Sequence, residues 1–158
     1  MARVIVITSG KGGVGKTTTT SNLGMALARL GHRTLLVADV GLRNLDLLLG
    51  LENRVIYTGQ DVLNKTCRLE QALIQDKRQP QLTFFPLCSS QSKSPFTKSQ
   101  IQELINLVSD KYDFVLIDSP AGIDQGFQTA IEPAKEAIIV VTPEAVSYTH
   151  LRAHETHI

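Results

Sequence analysis

Residues Gly10 to Thr17 read Gly-Lys-Gly-Gly-Val-Gly-Lys-Thr, between an apolar run, Val4 to Ile7, and a stretch with helical spacing. A strand, a glycine-rich turn and a helix in that order confine the chain to folds in which a buried strand feeds a helix across a phosphate-binding loop. Gly12, Gly13 and Gly15 let the backbone turn successive N–H groups toward phosphate oxygens, and the positive end of the following helix adds to the attraction. Lys16 is suited to neutralise the β- and γ-phosphates, and the Thr17 hydroxyl to ligate Mg²⁺. The loop therefore predicts a bound nucleoside triphosphate with its metal.

Lys11 lies outside that basic pattern. Two lysines in so short a loop repel each other unless an anion or another chain offsets the charge, and on physical grounds alone Lys11 reads equally well as a solvated surface residue. The octet Gly10 to Thr17, with Lys11 as its extra lysine, resembles the deviant Walker A motif of the MinD/ParA ATPases. That resemblance implies that Lys11 reaches the nucleotide of a partner subunit, so that ATP is sandwiched in a homodimer. It also implies nucleotide contacts from Gly10, Lys11, Gly12, Gly13, Val14, Gly15, Lys16, Thr17 and Thr18.

At 158 residues with 42% hydrophobic residues, the chain is long enough for one domain with a real core. A net charge of +1, five Phe, three Tyr and no Trp leave neither a basic stripe nor stacking platforms, so no nucleic acid is expected as a partner. No run approaches the roughly 18 apolar residues of a membrane span, and no leader precedes the first strand, so the chain is expected to be soluble. Cys67 and Cys88 form no Cys-x-x-Cys pair and suit a reducing compartment; they do not supply an iron–sulfur pattern.

Short apolar runs at Val4–Thr8, Thr34–Ala38, Leu82–Pro86, Phe114–Asp118 and Ala137–Val141 predict buried parallel strands. Between them, Leu23, Ala26, Leu27 and Leu30 repeat at helical spacing, with Gly31 as a C-terminal stop. Thr97 and Gln100 suggest a capping box before Ile101, Leu104, Ile105 and Val108, a second apolar helical face. Ser89 to Ser94 reads as a polar loop. The predicted fold is α/β: a P-loop NTPase with a mostly parallel sheet flanked by helices, its C-terminal portion incomplete.

Two carboxylates complete the predicted chemistry. Phe114 to Asp118 is an apolar strand ending in an acid, the Walker B pattern, which suits Asp118 to hold Mg²⁺ directly or through water. Ser119-Pro120-Ala121-Gly122 follows as a switch segment, with the Gly122 N–H able to approach a γ-phosphate. Asp39, at the end of the second strand, can orient a nucleophilic water beside the loop.

The runs Gly41 to Gly50, Gln71 to Arg78 and Asp118 to Ile123 resemble the septum-placing MinD branch of that family, over about Met1 to Glu144. Carried over, the resemblance makes Lys11, Lys16 and Asp39 the catalytic set and Thr17, Asp39 and Asp118 the Mg²⁺ set. It implies ATP-dependent dimerisation, a division-inhibitor partner and a topological-specificity partner. It implies a cytoplasmic or plastid-stromal location, peripheral at the inner membrane through a C-terminal anchor in the full-length protein. Two departures stand out. The family usually shows Asp-x-Asp where this chain has Val37-Ala38-Asp39, which is expected to slow hydrolysis. Residues 145–158 lack family resemblance and apolar periodicity, so residues 1–144 read as the N-terminal portion of the ATPase domain and 145–158 as a disordered, non-native tail on a truncated fragment. His150, His154 and His157 in that tail read as tail residues rather than a metal site. Alternatives are a ParA-like DNA-partitioning ATPase and an inactive fragment that binds nucleotide weakly.

Overall fold

The computed structural model describes residues 2–9, 15–38, 56–87, 98–118 and 136–140. In chain order these form β1 (Arg3–Ser9), α1 (Lys16–Arg29), β2 (Thr34–Ala38), α2 (Gly59–Leu63), α3 (Leu69–Ala72), β3 (Ile74–Gln75), β4 (Leu82–Pro86), α4 (Lys98–Val108), β5 (Phe114–Asp118) and β6 (Glu136–Val140). The strands make one sheet in the order β3-β4-β2-β5-β1-β6. Every pairing is parallel except β3 with β4.

Continuous apolar strands demand cover on both faces, because successive side chains point to opposite sides. Val4, Val6, Leu35, Val37, Phe85, Val115 and Ile117 face one layer, where Ile101, Leu104, Ile105 and Val108 of α4 meet them. Ile5, Ile7, Leu36, Ala38, Phe84 and Leu116 face the other, toward Ala28, Leu23 and Leu27 of α1. Burying each large apolar side chain of this kind stabilises the fold by about 1.5–3 kcal/mol. The predicted α4 stripe is buried in full.

The predicted face of α1 is only half right. Leu23 and Leu27 pack on the core, whereas Leu30 is 74% exposed and Ala26 is exposed as well. The face that is buried carries Lys16, Thr17, Thr20, Ser21, Gly24 and Ala28. Small residues let the helix lie close to the sheet: a Cβ added to Gly24 would sit 2.6 Å from Leu36 Cδ2. Beyond Arg29 the chain stops as predicted at Gly31, whose φ of 94° suits glycine. The Gly31 N–H donates to Ala28 O at 3.0 Å and the His32 N–H to Leu27 O at 3.1 Å, a Schellman closure.

The strands at Thr34–Ala38, Leu82–Pro86 and Phe114–Asp118 have the predicted bounds. The last strand starts one residue earlier than predicted, at Glu136, whose side chain is held by Arg3 across the sheet; Val141 lies outside the described residues. The antiparallel β3 was not predicted from the sequence. A buried Asp76 shapes the turn into β4 by accepting from the Arg78 N–H at 2.7 Å and the Gln79 N–H at 3.1 Å. Thr97 of the suggested capping box lies outside the described residues.

Candidate functional site

The carboxyl ends of β1, β2 and β5 lie side by side, since Asp118 stands in register with Ile7 on one neighbour and Ala38 on the other. In parallel sheets this is the edge where ligands bind. The chain leaves β1 here and returns as α1, whose N-cap is Gly15 at φ 76°, a left-handed conformation that a side chain would strain. Among the described residues no side chain caps this helix, and its first turn holds no acid. The positive end of its dipole therefore suits an anion.

Lys16 and Thr17, the first two residues of α1, both reach Asp118 at the end of β5. The Lys16 ammonium donates to Asp118 Oδ1, and the Thr17 hydroxyl donates to Oδ2 at 3.4 Å. All three residues are buried, with 2%, 7% and 3% of their surfaces exposed. Thr20 donates to Lys16 O at 2.9 Å and Ser21 to Thr18 O at 3.2 Å, tying the second turn of the helix to the first. Burial pushes the Asp118 carboxyl above the usual carboxylate range, against the opposing pull of the Lys16 hydrogen bond and charge and of the Thr17 hydroxyl.

The donor set fits Mg²⁺ chemically. A carboxylate and a hydroxyl already in mutual contact are hard oxygen ligands of the kind that ion prefers, and a cationic ammonium beside them fits its phosphate-bearing companion. Among the sequence-predicted residues, the structure thus brings Lys16, Thr17 and Asp118 together, with Gly15 and an exposed Thr18 at the helix entrance. Gly10, Lys11, Gly12, Gly13, Val14, Asp39 and Gly122 lie outside the described residues, as does the 145–158 segment. Thr20 and Ser21 were not singled out from the sequence. The signal that would have found them is the run of small residues Thr17, Thr20, Ser21 and Gly24 at helical spacing.

The sequence matches the AAA domain family over residues 2–155. It is 72% identical over 148 residues to a MinD septum site-determining relative in Emiliania huxleyi, covering 93% of this chain and 54% of that protein. The chain therefore spans about half the length of the curated relatives it matches. Its fold is similar to the MinD of the MinC:MinD cell division protein complex of Aquifex aeolicus (TM-score 0.79, 44% identity, 98% of this chain and 65% of that one). It is also similar to the septum site-determining MinD of Pyrococcus horikoshii solved with Mg-ADP (TM-score 0.78, 35% identity, 99% and 65%). By this match, and with Lys16, Thr17 and Asp118 gathered at the sheet edge, the chain belongs to the AAA domain family, in its MinD, septum site-determining branch.

Proposed function

We propose that this chain carries the ATP-binding and ATP-hydrolysing half-site of a switch that places the division septum. The observation that carries the reading is the buried meeting of Lys16 and Thr17, at an uncapped helix N-terminus, with the strand-end carboxylate Asp118. The Lys16 ammonium and the leading N–H groups of α1 bind the β- and γ-phosphates, while Thr17 and Asp118 hold Mg²⁺. Mg²⁺ held by these two residues would supply positive charge against the negative charge of the phosphoryl group in transfer. Asp39, which follows the last residue of β2, orients the attacking water; Lys11 completes the site of a second protomer, making the dimer depend on ATP.

The solved Mg-ADP complex of the Pyrococcus horikoshii relative supports the nucleotide and the metal, and the MinC:MinD complex of Aquifex aeolicus supports a division-inhibitor partner. A topological-specificity partner that stimulates hydrolysis completes the cycle. So does a peripheral location at the inner membrane, on its cytoplasmic or stromal side, in the full-length protein.

Calorimetric titration of the chain with ATP and Mg²⁺, followed by phosphate release, tests the reading. Lys16→Ala is expected to weaken binding about tenfold to a hundredfold, as loss of a charge-assisted hydrogen bond does. In sizing columns, ATP should promote dimers that Lys11→Ala abolishes. Equal ATP affinity in the wild type and Lys16→Ala would refute the assignment of the phosphate site.

A further inference from the structure

We infer that the outer side of β6 is a docking edge for a second copy of this chain: two β6 strands pair antiparallel about a two-fold axis at Ile138, joining two six-stranded sheets into one. The pairing is independent of the phosphate site and needs no nucleotide.

The two outermost strands are finished differently. A strand at the border of a sheet offers unpaired N–H and C=O groups to any other strand, and folded proteins blunt such borders with short strands, charges and proline. The β3 border has all three. It is two residues long and is followed by Lys77, Arg78 and Pro80, whose carbonyl accepts from the Gln75 side-chain amide at 2.8 Å. By contrast, β6 runs Glu136-Ala137-Ile138-Ile139-Val140, and among the described residues only β1 pairs with it. Its single charge is already neutralised, because Arg3 of the same chain holds Glu136 through two hydrogen bonds.

One face of β6 is bare. Ile138 and Val140 pack toward α1, and since successive side chains alternate, Ala137 and Ile139 point to the side of α4. There Ala137 is exposed and Ile139 is 65% exposed. The inner strands β2 and β4 bury every residue, so β6 departs from the rule that the rest of the sheet follows.

A second copy fits this edge by symmetry. Around a two-fold axis normal to the sheet, residues directly opposite share a face, so Ile138 meets its own copy and Ala137 meets Ile139 of the partner subunit. Small against large lets the strands approach, and the symmetry covers both exposed isoleucines at once. The two Glu136 side chains fall at opposite ends of the pair, each beside its own Arg3, so like charges do not meet. A strongly acidic or basic strand finds no free charge here to select it, whereas a second copy finds a matching apolar edge.

Sedimentation velocity of the 158-residue chain over a concentration series, without nucleotide, tests the pairing. The wild type should pass from monomer to dimer and stop there, because the pair uses up the β6 edge and the β3 border offers no equivalent. Ile139→Lys should weaken dimerisation about tenfold or more, since an edge lysine opposes strand pairing and the dimer carries it twice. A chain that stays monomeric at every concentration, assembles beyond the dimer, dimerises only with ATP, or dimerises equally well with Ile139→Lys would overturn the inference. Cross-linking reads the register without that variant. In a chain carrying Cys67→Ser and Cys88→Ser, Ile138→Cys should yield a disulfide-linked dimer with oxidised glutathione, because opposite residues of an antiparallel pair lie within the span of a disulfide. Dimers that form without this cross-link would overturn the axis at Ile138.

Discussion

The two edges of the sheet hold the same kind of interaction in opposite settings. At the amino edge, Arg3 grips Glu136 through two hydrogen bonds of 3.0 and 2.6 Å and passes over the Phe114 ring, while Arg33 pairs with Asp113. These side chains are 41–61% exposed. At the carboxyl edge, the Lys16 and Asp118 side chains are each 2% exposed. Water and salt screen the first set, which staples strand beginnings together and contributes little to stability. The second is shielded, so neither charge can be released without another ion to take its place. Burial is what separates an ion pair that fastens a structure from one that can respond to a ligand.

The widest test of this contrast is Asp118→Ala, which takes the buried carboxylate away from the Lys16 ammonium. It should destabilise the fold by about 3–5 kcal/mol in urea denaturation, the usual cost of breaking a buried pair from one side. A loss below about 1 kcal/mol would place this pair with the exposed ones and erase the distinction.

Acid sharpens the comparison, because the two edges respond with opposite sign. Burial raises the Asp118 pKa above its unfolded value, so the folded chain holds that proton more tightly, and the contribution of the group to stability grows as pH falls between the two values. Asp113, hydrogen-bonded by the Arg33 backbone and side chain, and Glu136, held by Arg3, lie below their ordinary values. Their contribution is complete above the unfolded pKa and is lost as pH falls through the folded one. Urea midpoints taken down through the carboxylate range should therefore fall more steeply in Asp118→Asn than in the wild type. They should fall less steeply in the double variant Asp113→Asn, Glu136→Gln. Superimposable slopes in all three proteins would contradict the assignment.

The smallest effect belongs to Arg3→Ala. At low salt its denaturation midpoint should drop slightly, and at high salt the difference from the wild type should vanish. A salt-independent loss would mean that packing of Arg3 on Phe114, rather than charge, carries the contact.

Much of this was legible in the amino-acid sequence, for identifiable reasons. Runs such as Leu35-Leu36-Val37 and Val115-Leu116-Ile117 are apolar on both alternating faces, and only a strand covered on both sides uses such a run. Lys16, Thr17 and Asp118 were readable because phosphate and Mg²⁺ chemistry imposes residue type and spacing together. Ile74-Gln75 was not, because two residues carry no period, and its pairing with Phe84 and Thr83 is a property of the partner strand. The buried face of α1 was misread because leucines advertise a core more loudly than threonine, serine and glycine do. Here, close approach at Gly24 decides which side packs. The direct contact of Lys16 with Asp118 had no local signal at all, since the two are 102 positions apart.

That separation has a consequence for how the protein is made. Strands β1 and β2 follow one another in the chain but never pair; β5 lies between them. Until a ribosome has released the segment through Asp118, each of the two early strands is missing its central neighbour and presents an open edge to solvent. The centre of the sheet therefore closes only once β5 has been made, by insertion of a strand with large sequence separation, a slow kind of step that leaves apolar edges exposed in the nascent chain. The same insertion delivers Asp118 to Lys16, so closure of the sheet's centre and the meeting of these two side chains are one event.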